Sequence, residues 1–281
     1  MGRAEGALPD RLFYPIATLL AAVLLFPIFW ALMTSLKPIA ETYDASRLLP
    51  SAFQWTNYVE LFHRAPFARW IGNTVLVTLL ATTGTVLSSM MVGYAFARFR
   101  FPGRNVFFLL TISTLVLPAE VTIVPNYLLF RELGWLDTYL PLIVPYWLGG
   151  TAFYIFLFRQ FFLTIPREYE EAARIDGANP WQVFIRVHVP MVKPAIAAAT
   201  VISFIHQWDE FFTHLIYLNT PAKYTLPIGL RYFYNSLHTE GEPMLHLLMA
   251  AAVLALLPPI VIFLCLQRYF IRGVVMSGLK G

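Results

Sequence analysis

Long apolar runs separated by short polar or charged segments dominate the pattern of this chain. About 20 consecutive apolar residues suffice to cross the hydrocarbon core of a bilayer as a helix. Runs bounded by charge, or by clusters of Pro, Gly and Asn, predict six such spans at roughly 12–34, 70–95, 106–129, 139–162, 194–218 and 246–267. The fold expected is therefore all-α and integral to the membrane. A single transmembrane domain fills residues 1–281, with one polar helical loop, 164–193, between the fourth and fifth spans.

The first run follows Arg3 and Arg11 as a signal peptide would, but it stays apolar to Met33 and no small-residue cleavage site follows it cleanly. It reads as a retained signal-anchor helix. Pro27, Pro118, Pro125, Pro141, Pro145, Pro258 and Pro259 fall within predicted spans. Each lacks an amide donor and crowds the preceding turn, so kinks or breaks are expected where neighbours or water satisfy the freed carbonyls. Kinked helices suit a protein that moves, although proline is in any case commoner in membrane helices than in soluble ones.

Composition supports the same solvent. Hydrophobic residues make up 58% and charged residues 13% of the 281 positions, with a mean hydropathy of +0.63, whereas soluble domains carry roughly a quarter charged residues. The length leaves room for spans and modest loops but for no separate soluble catalytic domain. Cys265 is the single cysteine and lies in an apolar run, which excludes an internal disulfide and a multi-cysteine metal site.

The net charge of +4 does not point to nucleic acid, because the basic residues lie mostly between apolar runs, where they set orientation. A cytoplasmic N-terminus would place Arg98, Arg100 and Arg104, the Arg167–Lys193 segment, and Arg268, Arg272 and Lys280 all inside. The first outer loop, with Lys37, Arg47, Arg64 and Arg69 against Glu41, Asp44 and Glu60, works against that orientation. Trp30, Trp55, Trp70, Trp135 and Trp147 lie mostly near span ends and read as interfacial anchors rather than a sugar-stacking path.

No G-x-x-x-x-G-K-[ST], H-E-x-x-H or G-x-S-x-G occurs, so the chain has no phosphate loop for ATP and none of the commonest hydrolase signatures. No catalytic or metal-ligating residue is expected. His206 and His214 are eight apart and read as a polar pair within the bundle rather than as ligands.

The stretch from Thr164 to Pro194 is too polar to cross a membrane yet carries strong helix signals. Pro166 can open a first helix with Glu168, Glu170 and Glu171 near its positive end, and Gly177 can close it. Asn179 as N-cap and Pro180 as first residue then restart a helix through Trp181, Phe184 and Ile185, until Pro190 stops it. The two helices form an elbow whose alanines keep it slim and whose charges rim it, a shape for docking another protein.

Glu171-Ala172-Ala173, Asp176-Gly177-Ala178 and Val187-x-Val189-Pro190 resemble the EAA loop of binding-protein-dependent ABC importer permeases. Val187 and Val189 stand where the family usually has Ile and Leu. Ala97-Arg98-Phe99-x-Phe101-Pro102-Gly103, Gly134-Trp135-x-Asp137-Thr138, Trp208-Asp209-Glu210 and Ser277-Gly278-Leu279-Lys280-Gly281 extend the resemblance, specifically to the carbohydrate branch and the second permease of maltose-type systems.

That resemblance implies a type I importer permease whose elbow contacts an ATP-hydrolysing subunit dimer through Glu170, Glu171, Ala172, Ala173, Arg174, Asp176, Gly177, Ala178 and Pro190. It further implies a homologous partner permease, an extracytoplasmic solute-binding protein meeting the outer loops, and a bacterial or archaeal inner membrane with both termini cytoplasmic. ATP and magnesium would be held by the ATPase and no cofactor by this chain. The cargo implied is a di- or oligosaccharide; the alternative is glycerol phosphate or another polyol derivative.

Acids at membrane depth normally face an aqueous cavity or the bundle interior. Asp209 and Glu210, with Trp208, Asn73 and Glu120, are thus candidates for the translocation path, against a structural reading in which they pair with polar neighbours such as His206, Gln207 or His214, or with the partner permease. Two rivals use the same acids: an ion-driven secondary transporter, which leaves the elbow unexplained, and an intramembrane enzyme, which needs a paired catalytic geometry that the sequence does not show.

Overall fold

A computed structural model of the chain describes residues 10–44, 46–239 and 244–278. Arg3 and the closing Leu279-Lys280-Gly281 therefore lie outside the described residues. The elements are helical throughout the described chain: α1 (Asp10–Ser35), α2 (Thr56–Arg64), α3 (Phe67–Arg98), α4 (Arg104–Ser113), α5 (Ala119–Glu132), α6 (Leu140–Trp147) and α7 (Ala152–Thr164). There follow α8 (Glu168–Ile175), α9 (Pro180–Val183), a π-helical turn (Phe184–His188), α10 (Val189–Met191), α11 (Lys193–Asp209), α12 (Phe212–Tyr217), α13 (Leu226–Thr239) and α14 (Leu245–Gly278).

Among the described residues α1, α3, the α6–α7 pair and α14 are each long and apolar enough to span a membrane. The segment expected as one span at 106–129 is bent by 104° between 104–116 and 120–132. Pro118 causes the break: its predecessor Leu117 is forced into the extended region (φ −78°, ψ 119°), and Pro118 itself, at φ −61° and ψ 137°, becomes the cap of α5. The segment expected at 194–218 is likewise divided, because α11 ends at Asp209 and Glu210 turns extended (ψ 116°) before α12 resumes. Pro27, Pro258 and Pro259 are carried inside α1 and α14 without ending them.

The chain separates into two compact units, Met1–Pro66 with Leu230–Leu257 and Phe67–Gly229 with Pro258–Gly281. In the first unit, the end of α1 is tied down by α2. Asn57 Nδ2 donates to the carbonyls of Ser35 (2.8 Å) and Lys37 (3.0 Å), and the hydroxyls of Ser35 and Tyr58 meet at 2.8 Å. The bond to Ser35 satisfies one of the carbonyls that the end of α1 leaves without a helical partner. In the loop that follows, Lys37 is buried and donates to the Arg47 carbonyl, Arg47 pairs with Glu41 (3.2 Å), and Arg64 pairs with Glu60 (2.7 Å). Hydrogen bonds from Ser51 hold the Glu41 carboxyl below its ordinary value, and bonds from Ser46 do the same for Asp44.

In the second unit α3 is the axis against which α6, α7 and α11 pack. Small residues along it, among them Ala81, Gly84, Ser88, Ser89, Gly93 and Ala97, admit close approach. A Cβ on Gly93 would lie 2.9 Å from that of Phe158 and 3.0 Å from the backbone of α7. The released carbonyl of Tyr146 near the α6–α7 break accepts from Ser88 Oγ at 2.8 Å, and Trp147 Nε1 donates to the Leu80 carbonyl at 3.0 Å.

Two apolar clusters mark the two ends of α3. One joins Val86, Met90 and Tyr94 to Phe158, Phe162 and Phe184; the other joins Val77 to Phe130, Leu142, Tyr217 and Ile228. Beyond the second cluster, Asp137 closes a polar clamp. It sits at φ 56°, accepts from the amides of Asn219 and Thr220 (3.0 Å each) and from the Thr220 hydroxyl (2.7 Å), and pairs with Lys223 Nζ at 2.8 Å. Burial works to raise its carboxyl, but the bonds from Lys223, Thr220 and Asn219 hold it well below the usual carboxylate range.

Candidate coupling site

The polar loop folds as an elbow whose geometry follows from a few local choices. α8 starts at Glu168, two residues after Pro166, and carries Glu168, Glu170 and Glu171 in its first turn, where the helix dipole favours them. Its end is a Schellman turn: the Ala178 amide donates to the Ala173 carbonyl (2.9 Å) and the Gly177 amide to that of Arg174 (3.0 Å). Gly177 takes φ +83°, which a side chain resists.

Asn179 then caps α9 in a reciprocal box with Gln182, at 2.8 and 2.9 Å. Pro190 does not stop the second helix, as the sequence pattern suggests. A π turn over Phe184–His188 widens the backbone ahead of it, with the Val189 amide reaching back to the Phe184 carbonyl, and Pro190 sits in the first turn of α10. Widening removes the clash that a proline ring makes with the carbonyl four residues earlier. The chain bends later, at Val192, where the 180–191 and 193–209 segments meet at 76°.

Glu170 and Glu171, consecutive in the chain, have opposite environments: Glu170 is buried and Glu171 is exposed. Glu170 Oε1 lies 2.8 Å from His188 Nε2 and 3.2 Å from Arg98 Nε, and its Oε2 is 3.9 Å from Arg174 Nη2. Relative side-chain exposures of 6% for Arg98, 11% for Glu170 and 0% for His188 set this cluster inside the protein. Arg98 Nη2 also donates to the carbonyls of Phe162 and Ile165, at the end of α7. The His188 ring packs against Tyr94 (4.9 Å) and Phe162 (5.7 Å). Since the guanidinium already balances the carboxylate and burial disfavours a second cation, the imidazole is neutral and donates from Nε2.

The outer surface of the elbow is different. Ile175 is 86% and Trp181 58% exposed, and the charged Glu171, Arg174 and Asp176 and the small Ala172 and Gly177 of the same elbow are exposed as well. An apolar tip of this kind with a charged rim is the anatomy of a docking surface. Beside it opens a cleft of about 520 Å³ lined by Arg98, Phe99, Arg100, Arg167, Glu170, Glu171 and Arg174.

Of the path candidates, Asn73 donates to the carbonyls of Ala222 (3.0 Å) and Tyr224 (2.9 Å), and Trp208 is 2% exposed and stacks on Phe204. Asp209 is exposed at the last residue of α11. Glu210 is half-buried in the break and accepts from the Thr213 amide at 2.9 Å, thereby opening α12. Glu120 is exposed in the first turn of α5. His214 is buried with its Nδ1 3.1 Å from the Thr225 hydroxyl, and His206 is exposed, so the two histidines do not pair. Sequence reasoning missed the roles of Arg98 and His188. Arg98 stood in a recognised motif but counted only as an orienting charge, and nothing in the spacing links His188 to a glutamate eighteen positions earlier.

Several helices long and apolar enough to span a membrane, with a capped polar elbow between them, define the class of a polytopic membrane protein. The chain belongs to the family of binding-protein-dependent transport system inner membrane components, which it matches over residues 84–276. It is thus a multi-pass permease subunit of an ABC importer and not an enzyme.

It is 35% identical over 267 residues to the arabinooligosaccharides transport system permease protein AraQ of Bacillus subtilis, covering 94% of this chain and 93% of that protein. It is also 35% identical to the sn-glycerol-3-phosphate transport system permease protein UgpE of Yersinia pestis, covering 91% and 92%. Among solved structures, it resembles a chain of a bacterial ABC transporter involved in import of the acidic polysaccharide alginate. The TM-score is 0.80 and the identity 27%, covering 95% of this chain and all of that one.

Proposed function

We propose that the chain pairs with a homologous permease and docks its elbow into a cleft of an ATP-hydrolysing subunit dimer, which holds ATP and magnesium. The observation that carries this reading is the two-sided elbow: a carboxylate anchored inside at Glu170, and an exposed apolar tip at Ile175 and Trp181. A partner that binds this tip differently in its open and closed states shifts the permease between conformations, because only differential contact moves an equilibrium. Glu171, Ala172, Arg174, Asp176 and Gly177 form the contact surface; Ala173, Ala178 and Pro190 shape it.

The elbow then lies in the cytoplasm together with both termini. The Lys and Arg residues of the 98–104 and 167–193 segments support that orientation. An extracytoplasmic binding protein delivers a di- or oligosaccharide, a cargo supported by the similarity to the arabinooligosaccharide permease. The equal identity to the glycerol-phosphate permease favours a polyol phosphate as the second reading. Asp209 and Glu210, at a broken span, are the strongest candidates to line the path; Asn73, Trp208 and Glu120 frame it.

Affinity purification of the tagged chain from its native membrane in mild detergent, with mass spectrometry of what accompanies it, tests the assembly. An ATPase and a second permease are expected, the ATPase being lost when Glu171 and Gly177 are altered. A chain that purifies alone in several detergents would overturn the reading.

A further inference from the structure

The elbow is joined to the membrane helices by its own backbone at two places, the end of α7 and the start of α11. It is joined to α3 by side chains. Arg98, the last residue of α3, reaches the α8 carboxylate of Glu170, the α7 carbonyl of Phe162 and that of Ile165 just past the end of α7 with one guanidinium, while His188 brings the π turn to the same carboxylate oxygen. Four separate elements thus converge on two opposite charges, and the aromatic rings of Tyr94, Phe162 and Phe184 seal them from one side.

Resting on the coupling function above, we infer that Arg98, Glu170 and His188 form a buried joint that makes the elbow and the adjoining end of α3 one rigid body, and that this joint passes the ATPase's movement to the transmembrane helices.

Three physical features carry the inference. Water screens a buried pair far less than a surface pair, so the cluster resists separation where an exposed salt bridge would not. Separating its members would strand an uncompensated charge in the protein, which makes sliding between elbow and α3 costly. Finally, α3 packs along its length on α6, α7 and α11, so a displacement imposed on its end is shared with the helices that surround it. These are positioning residues: none belongs to the exposed surface that a partner would touch. A guanidinium suits the role because its planar, delocalised cation pairs with the Glu170 carboxylate while Nη2 donates to the carbonyls of Phe162 and Ile165, a division that a compact ammonium makes less readily.

The test uses the complete transporter, with ATPase, partner permease and binding protein, reconstituted in lipid. In a Cys265→Ser background, spin labels at Glu168→Cys on α8 and Arg100→Cys just beyond α3 report the distance across the joint. The expected result is a single narrow distance, the same without nucleotide and with trapped ATP. A distance that changes with nucleotide in the otherwise unaltered cluster would overturn the inference, and this arm needs no substitution of the cluster itself.

In Glu170→Gln, where the carboxylate charge is gone, the distance distribution should broaden and transported substrate per ATP hydrolysed should fall about tenfold, the scale of a typical coupling between sites. Arg98→Lys should fall between the two. A Glu170→Gln transporter that keeps its substrate-to-ATP ratio within about twofold of the original also overturns the joint. Failure of the docking reading is seen separately, as normal ATPase retention by Glu171→Lys, whereas the joint is read from the distance.

Discussion

Glu170 and Glu171 are neighbours in the chain, yet one carboxylate lies 2.8 Å from the ring of a fully buried histidine and the other faces outward on the elbow. Consecutive residues on a helix are about 100° apart, enough to divide a pair of identical side chains between an anchor and a contact surface.

Substitution should separate those roles. Glu170→Ala breaks a buried ion pair and leaves Arg98 uncompensated, which is expected to cost roughly 3–5 kcal/mol and to lower the melting temperature and yield of the purified chain. Glu171→Ala leaves folding within about 0.5 kcal/mol but weakens retention of the ATPase. Thermal unfolding in detergent together with co-purification measures both; equal behaviour of the two variants would refute the division.

At Gly177 the space is open, since a built Cβ meets nothing within 4 Å, so the whole penalty lies in the backbone at φ +83°. Left-handed geometry costs a side chain about 1–2 kcal/mol, and a β-branched one suffers most. Gly177→Val is therefore expected to distort the turn and to lower uptake while the chain still inserts at normal level. Uptake assays normalised to membrane expression check this, and full uptake by the variant would count against the elbow as the coupling element.

The Asp137 clamp predicts a pH dependence. Its carboxyl is held well below the unfolded value of about 3.9, so the unfolded chain takes up its proton first as pH falls. The clamp's contribution is complete above pH ~4 and is lost progressively below it, toward the depressed folded value. Asp137→Asn should lower the melting temperature at neutral pH and flatten its decline between about pH 4 and pH 2. Melting curves across that range, with and without the substitution, provide the measurement.

Asp209→Asn restores the residue that the resembling family branch more usually carries beside Trp208. Because Asp209 is exposed and forms no ion pair among the described residues, the change should leave folding within about 0.5 kcal/mol. A steep fall in uptake by a normally assembled transporter would assign the acid a role in the path, and unchanged uptake would remove it from the candidates.

How much of this was legible depends on the range of the forces involved. α1 and α3 follow from apolar length alone, and the Asn179 cap and Gly177 turn from residue chemistry that acts within one helical turn. The breaks at Pro118 and Glu210 were harder to read. Each requires knowing which of several permissive residues yields, and Pro27 and Pro258 show that proline by itself does not decide. The cluster at Glu170 was hidden further, because Arg98 and His188 reach it only through the packing of α3, α7 and the π turn. No periodicity encodes that meeting.

Where α11 and α12 cross the bilayer as one segment, the interruption between them has its own consequence for how that segment stands. An intact helix turns no free amide or carbonyl toward its surroundings and tolerates hydrocarbon on every side; an interrupted one releases several at a fixed height and on one side. Oil cannot solvate them, so that side must turn toward water or toward protein. The position of the gap at Glu210 thereby selects the rotation of the whole segment about its long axis, a property that apolar length leaves undetermined.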